Sequence, residues 1–336
     1  QHVTYDSSSE NLTDVATNPN TQSRVVTWTI TDDTIAGAAE ERVSNEITTT
    51  TTVNITDSND AATFSFGGAN TAAELVNRQV TYTELADAEN DAANTPLIVN
   101  GNITLADADD THLSAATVTL TAGGFTASTG DDATTKDLGD DGDVLGLAVT
   151  AYNDLSTEFT LTDNTGGSWT LTDSTDTINI TAQDDGSGNK QLDFSGTATK
   201  AVYQGLFQKV TYYSDSDNLT DINTNSTLSR EVTWSVTDAN DDDAGAETSS
   251  VTTTINITED NDQPVITLAG TPELDYQEND SAAIIDDAIT ITDVDDINMS
   301  AATVTLTAGG FTDSTGDGAT TKDLGDDGDV LGLAVT

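Results

Sequence analysis

The sequence predicts an all-β chain built from one long repeating unit. Threonine alternates with Val, Ile, Leu and Phe in many short runs, such as "TVTLT" (117–121) and "TINI" (177–180). A period of two marks a half-buried strand. Between the runs lie turn-forming clusters, among them "GDDGD" (139–143) and "DDGSGNK" (184–190), whose Asp, Asn and Gly residues suit tight reversals. Finally, the chain repeats itself. Residues 107–150 recur at 293–336 with six changes, "VTYDSSSENLTD…SRVVTWTITD" (3–32) recurs from Val210, and "TTTTVNITDSND" (49–60) matches "VTTTINITEDND" (251–262).

All three pairs keep the same order, which defines a unit of roughly two hundred residues. Phase then gives the layout: 1–60 is the C-terminal part of one unit, 61–262 a complete unit, and 263–336 the opening of a third. Gln1 corresponds to Gln208 and Thr336 to Thr150, so the sequence reads as a window on a longer tandem array.

Within the complete unit, strands are expected near 62–67, 78–84, 97–106, 115–122, 144–150, 157–162, 168–173, 177–182, 190–194, 209–213, 229–237 and 247–258. One segment departs from the pattern. In "ATKAVYQGLFQKV" (198–210), Ala201, Tyr203, Leu206 and Phe207 suggest helical spacing, so a short helix on the sheet edge is expected, with a bulky strand as the alternative. Trp28 and Trp234 correspond, as do Tyr5 and Tyr212, and all four are expected in the core rather than as sugar-stacking platforms. Arg24 and Arg230 correspond too and are expected to form a structural ion pair or a backbone clasp.

Composition narrows the function. The chain carries 59 acidic against 9 basic residues, a formal charge of −50, and no cysteine. Such a surface repels nucleic acid and anionic membranes. Disulfides and thiolate metal sites are excluded. No apolar run approaches the ~18 residues of a spanning helix. Self-repulsion on this scale needs an offset, either salt or bound cations. Asp predominates over Glu and gathers in turns, as in "DVDD" (293–296) and "DANDDDAG" (238–245). That placement favours hard-cation ligation by oxygen over a uniformly halophilic surface, the remaining acids being solvated.

The joint between units concentrates this charge. "TEDNDQP" (258–264) supplies Glu259, Asn261 and Asp262 before Pro264; "YQEND" (276–280) brings Glu278, and "DVDD" brings Asp293 and Asp295. In that order the segments resemble bacterial cadherin-like repeats, the tandem modules of giant calcium-dependent surface adhesins. "FSGTATKAVYQGLFQKVTYYSDSDNLT…SREVTWSVTDAN…VTTTINITEDNDQPVI" is closer still to the bacterial form. The resemblance implies tandem Ig/cadherin-like β-sandwich domains in an extended array, joined by Ca2+.

Carried over, it assigns the second joint to Glu259, Asn261 and Asp262, with Glu84 from the preceding domain and Asp293 and Asp295 from the following one. The first joint would use Asp57, Asn59 and Asp60 with Asp107 and Asp109. Asp238 matches the strand-F aspartate and serves the upstream joint; Asp32 is its counterpart, and Glu278 belongs to a third joint. Three departures stand: Ala61-Ala62 replaces the proline, Glu84 lacks its asparagine, and a mid-domain Asp-Arg-Glu motif is missing. The first two weaken the first joint, and the third implies fewer ions per joint.

Other readings fare worse. His2 and His112 do not correspond between copies, Asn298 standing where His112 would recur, so an enzyme is not expected. "GGSWT" (166–170) is no nucleophile elbow. "DDGDVLGL" (140–147) is one isolated β-roll-like turn, and "DANDDDAG" lacks the EF-hand glycine and distal glutamate. Threonine-rich strands too irregular for an ice-binding array are ordinary solvent faces. The Asn-x-Ser/Thr sequons leave glycosylation open. Two functions remain: an extracellular adhesin stalk, or a subunit of a multi-chain filament, sheath or surface layer. The expected partners are neighbouring repeats of the same chain and other copies of it.

Overall fold

The computed structural model describes residues 2–12, 22–32, 45–56, 58–67, 78–84, 96–122, 143–148, 160–164, 168–172, 176–184, 189–214, 219–220, 228–241, 243–268, 273–277, 280–306 and 331. The chain is all-β with one short helix among these residues. It divides into two compact units, Gln1–Asp260 and Asn261–Thr336.

The first unit opens with a hairpin, β1 (Ser23–Thr31) against β2 (Glu46–Asn54). Its body contains β3 (Thr63–Ser65), β4 (Gln79–Thr83), β5 (Leu97–Ile98), β6 (Thr104–Ala106), β7 (His112–Ala122), β8 (Asp143–Leu147), β9 (Thr160–Asp163) and β10 (Ser168–Thr172). There follow β11 (Thr177–Asp184), β12 (Lys190–Thr199), helix α1 (Lys200–Phe207), β13 (Val210–Ser214), β14 (Ser229–Asp238) and β15 (Thr248–Thr258). The second unit contributes the hairpin β16 (Val265–Thr267) and β17 (Thr290–Thr292).

Eight strands form the main sheet in the order β4-β15-β14-β7-β12-β11-β10-β9, antiparallel throughout except that β4 runs parallel to β15. A three-stranded sheet β5-β13-β8 and the pair β3-β6 complete the body. Alternation along β14 places Val232, Trp234 and Val236 inward, and along β7 Val118 and Leu120, while a register shift near the start of β7 brings Leu113 to the same face, all at 1 % exposure or less. Each expected strand has a counterpart, with one correction. The run 97–106 is two strands, because Asn100 Oδ1 accepts Asn102 N–H at 3.0 Å and folds the chain at Gly101.

Helix α1 forms where it was expected and buries Tyr203, Leu206 and Phe207, an i, i+3, i+4 set on one face. Ala201 is exposed instead, since two residues turn the helix by about 200° and point it away from Tyr203. Phe207 meets Trp234 and Phe194 edge-on at 5.4 and 5.8 Å and lies parallel to Phe64 at 6.3 Å. The helix thereby joins the main sheet to β3. Gln204 Oε1 accepts Leu105 N–H at 3.1 Å, and Gln208 Nε2 donates to Ile103 O at 2.8 Å, tying β6 to the same helix.

A bulge between Ser195 and Ala198 turns β12 into the helix. Gly196 sits there with φ +135°, and a Cβ would meet Thr177 O at 2.0 Å, so only glycine fits.

The paired residues of the repeat behave alike in bonding but not in burial. Arg230 Nη2 donates to Leu219 O at 2.7 Å, and Arg24 Nη2 to Leu12 O at 2.7 Å. The Arg230 guanidinium also pairs with Asp143, which accepts the Tyr212 hydroxyl. Trp234 Nε1 donates to Thr253 Oγ1 at 2.8 Å, and Trp28 Nε1 to Thr51 Oγ1 at 2.9 Å. Trp234 and Tyr212 are core residues, as expected, but Trp28 is 40 % and Tyr5 47 % exposed. The elements that cover Trp234, namely β7 and α1, occupy repeat positions that map before Gln1.

Candidate metal centre

The loop "DADD" leaves β6 and enters β7. Asp107 Oδ1 accepts the N–H groups of Asp109 at 3.2 Å and Asp110 at 2.8 Å, a side-chain-mimicked turn. Lys200, at the start of α1, donates its ammonium to Asp107 O at 2.8 Å and to Asp110 O. The loop is therefore shaped from within and pinned from behind, and its carboxylates are left to face one another.

Two other segments close on it. From the linker, Asp60 N–H donates to Asp109 Oδ2 at 2.9 Å, and Asn59 Nδ2 donates to Asp238 Oδ2 at 2.8 Å. From the end of β14, the Asp238 carboxylate accepts Glu247 N–H, and Asp241 N–H donates to Asp110 Oδ1. Asp241 Oδ2 in turn accepts Thr111 N–H at 3.0 Å, His112 N–H at 3.1 Å and Thr111 Oγ1 at 2.7 Å, and pairs with His112 Nδ1 at 2.9 Å.

Asp107, Asp110 and Asp238 offer oxygens that all lie within 4.8 Å of one another, a cluster that could hold a metal ion. Asp109, Asp110 and Asp238 are 4, 1 and 0 % exposed. The buried atoms Asn59 Oδ1, Asp107 Oδ2 and Asp109 Oδ1 have no hydrogen-bond partner among the described residues. Buried carboxylates crowded in this way are costly unless something positive joins them. The donor set is all oxygen, and the nearby imidazole is engaged by Asp241, so the residues fit a hard cation.

The second copy is built the same way within its own unit. Asp293 Oδ1 accepts the N–H groups of Asp295 at 3.3 Å and Asp296 at 2.8 Å, and Asp262 N–H donates to Asp295 Oδ2 at 2.9 Å. These bonds reproduce those of Asp107, Asp109, Asp110 and Asp60. In the first unit, Glu84 Oε2 accepts Asp260 N–H at 3.1 Å, and Glu259 accepts the backbone and hydroxyl of Thr220. Asn261 is exposed and its Nδ2 donates to Asp262 O at 2.7 Å. Asp32 is exposed at the end of its hairpin, where its carboxylate accepts Asn45 N–H much as Asp238 accepts that of Glu247. Asp57 and Glu278 lie outside the described residues.

Sequence reasoning missed Asp110, Asp241 and Lys200. The signal for Asp110 was present: the fourth letter of "DADD" recurs as Asp296 in "DVDD". Ala61-Ala62 follows the linker, and Ala62 is buried at 1 % and accepts the Ser249 hydroxyl on its carbonyl.

Burial, reinforced by the Asp107 carboxylate, raises the pKa of Asp109 to about 6 against the pull of Asp60 N–H. Burial likewise raises Asp295, with Asp293 adding to it. For Asp241 burial acts upward too, but the bonds from Thr111 and His112 hold its carboxylate below the ordinary range. A raised acid favours the folded state when protonated. Its contribution to the metal-free protein is therefore complete below the unfolded pKa of 3.8 and lost as pH rises through about 6. Asp109→Asn should then leave metal-free stability near wild type at pH 4 and raise it above wild type by pH 7. Melting curves of both proteins in chelator check this, and a gap independent of pH would contradict it.

No protein-family model, curated protein or solved structure matches this chain.

Proposed function

We propose that the chain is a calcium-stiffened repeat segment of a long extracellular adhesin or stalk, spacing a binding tip from the cell surface. The observation that carries this reading is the duplicated clamp: Asp107 and Asp109 on Asp60, and Asp293 and Asp295 on Asp262, each at the start of a repeat. A device rebuilt at the same phase of a tandem array serves the array.

Calcium suits the site better than magnesium does. It takes six to eight oxygens in flexible geometry, whereas magnesium holds an octahedron and keeps its waters. Asn59, Asp107, Asp109, Asp110 and Asp238 are the residues that would hold it. Without a cation their repulsion loosens the linker against the body; with one, linker and body share ligands and the joint stiffens. Extracellular modules bind at roughly 10⁻⁴–10⁻³ M, so calcium outside a cell fills such sites and cytosolic calcium leaves them empty. Saturation at a hundredfold excess adds about 2.7 kcal/mol per site.

The role is structural rather than enzymatic: His112 is committed to Asp241, and the next copy has Asn298 in its place. The alternative is a subunit of a multi-chain filament, sheath or surface layer.

Electron microscopy with millimolar calcium and again after chelation tests the reading. Straight thin rods that become limp on chelation are expected for the stalk, and ordered multi-chain fibres for the alternative. Particles whose shape ignores chelation would overturn the role of calcium.

A further inference from the structure

Helix α1 carries a polar stripe along one side. Lys200, Gln204 and Gln208 recur every fourth residue, the last closing the helix. Their partners run the other way along β6 and into the acidic loop. Gln208 Nε2 donates to Ile103 O at 2.8 Å, Gln204 Oε1 accepts Leu105 N–H at 3.1 Å, and the Lys200 ammonium donates to Asp107 O at 2.8 Å. Four residues of helix rise about 6 Å and two residues of strand about 6.6–6.8 Å, so the stripe and the strand stay in step over all three contacts. β6 pairs with β3 on one edge, and the stripe serves the other edge in place of a strand.

Lys200 stands in an unfavourable place for its charge. It opens α1 with no acidic residue in the first turn and no side-chain cap from Thr199. A cation there faces the positive end of the helix dipole, so the helix by itself disfavours it. What the lysine gains is the loop. Besides Asp107 O its ammonium takes Asp110 O, and its own N–H reaches Thr111 O at 3.4 Å. Both carbonyls belong to residues whose carboxylates cluster with that of Asp238. A position that breaks a local rule in favour of a distant contact marks a functional site. The lysine also leaves the carboxylates open: Asp107 Oδ2 and Asp109 Oδ1 are buried with no partner among the described residues.

We propose that Lys200 is the resident cation of the "DADD" loop, holding it in shape when no metal is bound, and that the stripe of α1 is the splint that sets the loop's position. The ammonium occupies the two backbone carbonyls and offsets part of the local negative charge. An entering cation then meets carboxylate oxygens already gathered, and a site ordered beforehand costs less to fill. Lys200 is thus a positioning residue, acting on the backbone of the loop. Its hold on the metal-free loop stands on these contacts alone, while the hand-over to calcium rests on the reading above.

Amide hydrogen exchange at Asp109 and Asp110, whose N–H groups bond to Asp107 Oδ1, tests this on the chelator-stripped chain and again in calcium. Lys200→Met should speed both amides by about ten- to a hundredfold in chelator, the local opening that follows the loss of charge-assisted bonds. Calcium should return them to wild-type rates, because the ion then orders the loop itself. Gln204→Met is the control: it removes a bond but no charge, so it should speed exchange at Leu105 equally with and without calcium. Unchanged protection in β7 and β14 verifies that each variant is folded. Wild-type rates for Lys200→Met in chelator would overturn the proposal and leave the calcium reading intact. So would fast exchange that calcium slows in the wild type but not in the variant. Calcium without effect on the wild type would overturn the calcium reading instead, and the chelator comparison would still decide the role of Lys200.

Discussion

Replacing Asp107 by Asn is expected to abolish most of the calcium-dependent stabilisation of the 61–262 body while leaving its metal-free melting temperature equal or higher. The asparagine carbonyl still accepts Asp109 N–H and Asp110 N–H, so the turn survives. What disappears is one negative charge from oxygens lying within 4.8 Å of one another. In chelator that relieves repulsion. In calcium it removes a ligand, at a cost of at least the ~10–100-fold in affinity that losing an outer-shell partner brings. Against the ~2.7 kcal/mol of a site at hundredfold excess, and about 2–4 °C per kcal/mol for a body of this size, the wild type should gain several degrees from calcium. Melting curves with and without calcium read this directly. Equal calcium shifts in both proteins would contradict it.

The second large effect lies in the buried ion pair. Arg230→Met leaves Asp143, 2 % exposed, with its carboxylate facing only the Tyr212 hydroxyl among the contacts described above, and frees Leu219 O. Breaking a buried pair from one side costs ~3–5 kcal/mol, a large share of the ~5–15 kcal/mol that holds a typical domain. Arg24→Met, at the corresponding place, removes a bond to Leu12 O from a partly exposed side chain and should cost less than about 1 kcal/mol. Urea unfolding followed by the buried tryptophans compares the two. Similar losses would mean that the Arg230–Asp143 pair adds nothing to the clasp.

The strands were legible because threonine alternation is local, and the helix because Tyr203, Leu206 and Phe207 break the period of two. The pairing was not legible. β4 lies parallel to β15, Gln79 opposite Thr254, and nothing in "QVTYT" names so distant a neighbour. Asp60, Asp107 and Asp109 were reached through the resemblance of their segments to cadherin-like repeats, whereas Asp110, although it recurs as Asp296, could not be ranked above the solvated acids. Its burial depends on the Asp107 turn and on Asp241 arriving from the far end of β14. Trp28 and Trp234 share a pattern and a hydrogen bond, and among the described residues it is Trp234 that has β7 beside it and Phe207 of α1 against it.

Calcium titration calorimetry of the chelator-stripped chain tests the central claim most directly, alongside a protein carrying Asp107→Asn and Asp293→Asn together. The account predicts saturable binding by the wild type at roughly 10⁻⁴–10⁻³ M, with proton release as pH falls toward 6 because Asp109 must ionise, and its loss in the double variant. A wild type that binds no calcium in that range, or a double variant that binds as well, would contradict it.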